Sequence, residues 1–273
     1  MNRVLTACVM VLAPATAWGH DMFLVVPDHN VPAKSEVSVS LHNGTFEKSE
    51  NSIDRERMID VSVVDGTGHV SHPAAKQWRE EGTVTVLDLR TGSPGTYVVG
   101  ISTKARMIEL DAEEFNDYLK HDGVADILEQ REKAGTLDRP AKERYSKHVK
   151  TILQVGGSAT DSYAQQLGYP LEIVPLLDPA TLSPGTTLKV RVLADGEPAA
   201  DQLVYASYAG YHSNNEDGDH REAIKVRTDK SGVAGIEISR SGRWYIRLIR
   251  MLPVNEDGVD YESNWATLTF QVK

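Results

Sequence analysis

The chain has 273 residues, of which 40% are hydrophobic and 25% charged. That is the balance of a folded domain with a core, which excludes a disordered tract. Asp and Glu outnumber Lys and Arg by 39 to 29, for a formal net charge of −10, which works against nucleic acid or acidic membrane as partners and favours cations.

Residues 1–19 open on Asn2 and Arg3, continue as an apolar run from Val4 to Ala13 and end in small residues. This is the layout of a cleaved secretory signal, and the run is too short to span a membrane. Cuts after Ala17 and after Gly19 both satisfy the small-x-small preference, and the second is preferred. It would start the mature chain on His20. The single cysteine, Cys8, lies inside the leader. Leu5-Thr6-Ala7-Cys8 has the form of a lipoprotein box, but the apolar run before it is too short for one. A soluble periplasmic protein follows, with no disulfide, no thiolate site and no integral membrane segment.

The segment 20–108 alternates with period two over Asp21–Val26 and Glu36–Leu41. Further strands are expected at Met58–Val64, Gly82–Leu89 and Thr96–Ser102, with Gly- and Pro-bearing turns between them, as in a β-sandwich. Residues 109–155 read as a helical connector. Glu113–His121 and Val124–Lys133 end at Gly123 and Gly135, and a third helix is expected from Asp138-Arg139-Pro140 to about Leu153. Its stripe would be Ala141, Tyr145, His148 and Ile152, with Lys142, Lys147 and Lys150 in solvent. From 156 to 273 the strand pattern returns: Thr187–Leu193, Leu203–Tyr208, Ala223–Thr228, Val233–Ile238, Arg243–Ile249 and Ala266–Val272. The expected fold is mainly β, two immunoglobulin-like sandwiches joined by a short helical insertion.

In the last segment Asp195-Gly196-Glu197-Pro198, Thr228-Asp229-Lys230-Ser231-Gly232 and Gly242-Arg243-Trp244-Tyr245 follow one another as in immunoglobulin-like or transthyretin-like modules. Together with His20-Asp21-Met22-Phe23-Leu24, Glu143-Arg144-Tyr145-Ser146-Lys147, Leu171-Glu172-Ile173-Val174-Pro175 and Trp265-Ala266-Thr267-Leu268-Thr269-Phe270, the chain resembles the nickel-uptake substrate-specific region family. The resemblance implies an exported protein tied to nickel or cobalt acquisition, with a membrane metal transporter as a partner, and it fixes no catalytic residue.

Four histidines are the metal candidates. After a cut at Gly19 the α-amine and imidazole of His20 could chelate one ion. Nickel and cobalt come from the resemblance, and copper or zinc suit the same nitrogen ligands. If Val26 lies opposite Glu36, an antiparallel register brings His42 opposite His20. The loop Tyr211–His220 gathers His212, Asp217, Asp219 and His220, with a solvated hairpin tip as the alternative. Among the other histidines, His69 and His72 read as an exposed loop, His148 as a packed or edge residue of the helix stripe, His121 as a helix-end residue and His29 as a polar loop residue.

The sequence has no G-x-S-x-G, H-E-x-x-H, phosphate-binding glycine loop or mature cysteine nucleophile. The expectation is therefore a periplasmic transition-metal-binding protein for nickel or cobalt uptake, rather than an enzyme. A copper oxidase or oxygenase built on an N-terminal histidine, and a metal-free immunoglobulin-like binding module, are the alternatives.

Overall fold

A computed structural model describes residues 20–211 and 222–273. The expected leader and the loop bearing His212 and His220 lie outside the described residues. The first half holds β1 (Asp21–Val25), β2 (Asn30–Val31), β3 (Glu36–Gly44), β4 (Met58–Val64), β5 (Val70–Ser71), β6 (Trp78–Glu81), β7 (Val84–Arg90), β8 (Gly95–Thr103) and β9 (Arg106–Leu110). Helices α1 (Ala112–His121) and α2 (Ala125–Ala134) precede β10 (Ala141–Val155). There follow β11 (Leu171–Pro175), β12 (Thr187–Ala194), β13 (Glu197–Pro198), β14 (Leu203–Tyr208), β15 (Ile224–Arg227), β16 (Val233–Glu237), β17 (Gly242–Glu256) and β18 (Val259–Val272).

The fold is mainly β, with its sheets packed as a sandwich. A ten-stranded sheet runs β15-β14-β17-β18-β10-β8-β4-β5, with β2 and β9 also paired to β10. A four-stranded sheet, β1-β3-β7-β6, buries Leu24, Val39 and Leu87 against Val61, Val99, Val149 and Leu153 of the large sheet. The second four-stranded sheet, β11-β12-β13 with β16 on β12, buries Ile173, Val190 and Ile236 against Val204, Trp244, Ile246 and Phe270. Odd-numbered residues of β10 thus meet the first sheet, while Ile152 belongs to the core of the second.

The first two expected helices form. Asp111 caps α1 by accepting from Glu114 N at 2.9 Å, Glu114 returns a carboxylate to Asp111 N, and Gly135 ends α2 in the left-handed region at φ 64°. The third does not: residues 141–155 are β10, in the middle of the large sheet. Lys147 and Lys150 are accordingly buried rather than solvated. The stripe Ala141, Tyr145, His148, Ile152 fits a helix, but the β-branched run Val149, Thr151, Ile152 favours a pleated strand, and pairing on both sides decides the matter. β10 runs parallel to β18 from Glu143↔Tyr261 to Thr151↔Thr269, a partner more than a hundred residues away.

β1 and β3 pair antiparallel as expected, but in another register. Phe23 lies opposite His42 and Val25 opposite Ser40. The intervening segment is no hairpin turn: β2 leaves to pair with β10, and Gln154 N donates to His29 O at 2.7 Å. With no tight turn to set it, the register follows side-chain packing. The shift is an odd number of places, so His20 and His42 fall on opposite faces.

Candidate functional site

A cavity of about 220 Å³ opens where the first four-stranded sheet ends and α1 begins, on the odd-numbered face of β10. β10 supplies Glu143, Tyr145 and Lys147 at alternate positions, and β9 supplies Arg106, Ile108 and Leu110. The register Tyr145↔Arg106, Glu143↔Ile108, Ala141↔Leu110 sets the two rows side by side, and Lys147↔Trp265 adds the indole of β18. His20, Asn43, Asn51 and Arg57 form the facing wall, and Tyr118 of α1 closes one end. Tyr118 and Trp265 stack with centroids 6.1 Å apart and planes 5° from parallel.

Three charged side chains in this cavity are almost fully buried: Arg57 at 7%, Lys147 at 4% and Glu143 at 1% exposure. Lys147 Nζ donates to the backbone carbonyl of His20 and lies 4.6 Å from the Trp265 ring centroid. Burial lowers its pKa to about 8, against the opposing pull of Asp21. This bond continues a ladder along β1, where Thr267 Oγ1 donates to Met22 O at 2.7 Å and Thr269 Oγ1 to Leu24 O at 2.5 Å. The cavity wall at His20 is therefore tied down by side chains of the large sheet.

Glu143 Oε1 accepts hydroxyl hydrogens from Ser263 and, at 3.1 Å, from Tyr118. Trp265 Nε1 in turn donates to Ser263 Oγ at 3.1 Å. Burial raises the pKa of Glu143, and these donors oppose the rise by favouring the carboxylate. Behind it, Asp122 is pushed well above the usual carboxylate range by burial and by Asp21, while Arg247 donates to Asp122 O and pairs with Glu222 and Asp21.

Arg57 differs from the others. Its guanidinium stands 5.5 Å from the Tyr145 ring centroid, and Nε and Nη2 are buried with no hydrogen-bond partner. Burial lowers its pKa and the neighbouring Arg106 lowers it further, with Tyr145 opposing. The N–H bonds of Nε and Nη2 run parallel along one edge of a guanidinium, the geometry that forks onto a carboxylate.

His20 is at the cavity, with Nε2 3.2 Å from Glu50 Oε2. His42 faces away with Phe23, and burial lowers its pKa. Among the described residues, no group of three or more His, Cys, Asp or Glu side chains is placed to hold a metal ion. His148 is buried as expected, with Nδ1 2.9 Å from Ser102 Oγ and Nε2 2.9 Å from Asn264 Oδ1. His69 and His72 go to different carboxylates, His69 N to Asp65 and His72 Nδ1 to Asp60. His29, expected in a polar loop, is buried at 3% exposure.

Arg57, Glu143, Tyr145 and Lys147 were not among the sequence candidates. The usable signal was Glu143-x-Tyr145-x-Lys147, polar and aromatic groups two apart, which share one face on a strand and scatter on a helix.

Fold and cavity together define a β-sandwich protein with a charged, aromatic-walled cavity. The chain belongs to the family described as Domain of unknown function (DUF4198), whose model matches residues 17–251. A comparison with curated proteins gave no match. Similar solved structures include the D0-D1 domain of Intimin, 10% identical with a TM-score of 0.21, covering 92% of this chain and 97% of that one. Another is the D00-D0 domain of Intimin, at 11% identity and a TM-score of 0.20, covering 91% and 98%. Similarity at that level carries nothing further, and the architecture rests on the sheets themselves. Among the described residues no helix is long and apolar enough to cross a membrane.

Proposed function

We propose that this protein is an exported binding protein whose pocket takes a small carboxylate-bearing solute. The observation that carries this reading is Arg57, which lines the cavity and whose Nε and Nη2 are buried with no hydrogen-bond partner. Tyr145 supports the guanidinium in part, but buried polar groups left unpaired are costly, and a ligand that completes them gives the fold a reason to keep them. Lys147 and Arg106 add positive potential around the same space. Walls of Ile108, Leu110, Tyr145 and Trp265 bury the ligand's apolar part. The leader expected at residues 1–19 supports an extracytoplasmic location.

Calorimetric titration with small carboxylates tests the reading. Truncating one side of a buried charge-assisted pair costs about 2–5 kcal/mol, so Arg57→Gln is expected to weaken binding by roughly thirty-fold or more. The same change removes an unpaired buried charge, so the urea midpoint is expected to hold or rise. Wild-type affinity in Arg57→Gln would overturn the assignment.

A second reading keeps the transition metal, because His20 Nε2 and Glu50 Oε2 lie 3.2 Å apart. A cut after Gly19 would add the α-amine, an N,N,O donor set suited to nickel, cobalt, copper or zinc. The role would then be nickel or cobalt handling, with hand-over to a membrane transporter. The buried cations of the cavity disfavour a bare metal ion inside it, which leaves the His20–Glu50 pair as the place. After the N-terminus is fixed by intact mass, nickel and copper titrations of His20→Ala and Glu50→Gln decide: binding unchanged in both variants rejects this site.

A further inference from the structure

Glu143 is a carboxylate in a pocket whose other charged lining residues, Arg57, Arg106 and Lys147, are cations, and its hydrogen bonds go to hydroxyls rather than to a cationic side chain. Lys147, four residues along on the same face of β10, draws its main electrostatic support from Asp21, then Asp122, and least from Glu143. Its Nζ is committed to the carbonyl of His20. The Glu143 carboxylate is therefore held by Tyr118 and Ser263, with the nearby charge of Lys147 in support but no direct hydrogen bond to a cation. Arg57 presents the opposite need, a guanidinium edge without an anion, beside the ring of Tyr145. Tyr145, over whose ring Arg57 lies, and Glu143 are two residues apart on β10, about 6.8 Å along the strand, so the two charged groups belong to neighbouring places on one wall of the cavity.

We infer that the pocket is built for a zwitterion: a free α-amino acid whose carboxylate forks onto Arg57 and whose ammonium pairs with Glu143. The remaining lining sets the side chain. Ile108 and Leu110 on β9, with Tyr118 and Trp265 opposite, form an apolar and aromatic wall suited to a branched aliphatic or aromatic group. A cavity of about 220 Å³ has room for a single amino acid. This inference rests on the carboxylate reading above and narrows its ligand class.

The test uses the mature protein and three matched ligand sets: leucine and phenylalanine, their deaminated acids 4-methylpentanoate and 3-phenylpropanoate, and the amines isoamylamine and phenethylamine. Calorimetry is expected to show the amino acids binding at least ten-fold tighter than the deaminated acids, with the amines weakest. Glu143→Gln keeps the acceptor for Tyr118 and Ser263 and is expected to bring amino acid and deaminated acid to within about three-fold of each other. Arg57→Gln is expected to weaken both. Deaminated acids binding wild type as tightly as the amino acids would overturn the zwitterion while leaving the carboxylate reading in place. Absence of binding by all three sets would overturn both readings. Because the wild-type ratio decides on its own, the test survives a Glu143→Gln variant that fails to fold.

Discussion

Burying a histidine has a measurable cost in acid. His29 is held neutral to about pH 4 by burial, helped by Arg243 and opposed by Asp28 and Gln271. Its folded-state pKa lies below the unfolded value of 6.5, so the unfolded chain takes up the proton first as pH falls. Stability from this residue is whole above pH 6.5 and is lost toward pH 4, by about 3 kcal/mol over the window. Carboxyls with raised pKa, Asp122 and Glu143, take up protons earlier in the folded state and oppose the trend. The comparison with His29→Gln therefore isolates the effect. Urea unfolding at pH 7 and pH 4 is expected to show wild type losing about 3 kcal/mol more than the variant, and equal losses would refute the assignment. Arg57 and His29 look like ordinary loop residues in the sequence, because burial belongs to neighbours brought from elsewhere in the chain.

At the scale of elements, β10 is where reading and structure part. A strand buried on both faces is expected to read as an apolar run, yet β10 carries Glu143, Lys147, His148 and Lys150, each buried. Lys150 Nζ meets Glu172 Oε1 at 2.9 Å, and Glu172 also accepts from Leu167 N and Gly168 N. Lys150→Met would strand the Glu172 carboxylate in the interior, at an expected cost of about 3–5 kcal/mol by chemical denaturation. A loss below 1 kcal/mol would mean that water reaches this pair. The α1–α2 turn is equally constrained. Gly123 sits at φ +78°, where a Cβ would come within 2.6 Å of Tyr205 Oη, whose hydroxyl bonds Gly123 O at 2.8 Å. Gly123→Ala combines backbone strain with that clash and is expected to cost about 2–3 kcal/mol. Its displacement of α1 would also weaken the proposed carboxylate binding through Tyr118, readable by calorimetry beside the denaturation curve. The helices that form, by contrast, carry their signals locally, in the Asp111–Glu114 box and the Gly135 cap.

Across the whole molecule the large sheet joins the two halves. β10 pairs along nine positions with β18, near the other end of the chain, and β18 also donates two threonine hydroxyls to β1. Fragments 20–155 and 156–273 each lack a neighbour for a buried strand, so neither is expected to give a cooperative urea transition alone, and mixing them is expected to restore one. A native-like near-ultraviolet spectrum from fragment 20–155 alone would show instead that the halves are independent. The amino-acid sequence by itself determined the mainly-β sandwich, most strand positions and the first two helices, because period-two patterning, turn residues and caps are local properties. Alternation in Ala266, Leu268, Phe270 and Val272, all buried in one core, shows how far that reaches. Only the tertiary structure decided that residues 141–155 are a strand, that β1 and β3 separate His20 from His42, and that Arg57, Glu143 and Lys147 share a cavity. The strand at 141–155 depends on pairing with a partner more than a hundred residues away, the β1–β3 register on packing rather than on a tight turn, and the cavity on burial of charge, which the local pattern Glu143-x-Tyr145-x-Lys147 only hints at.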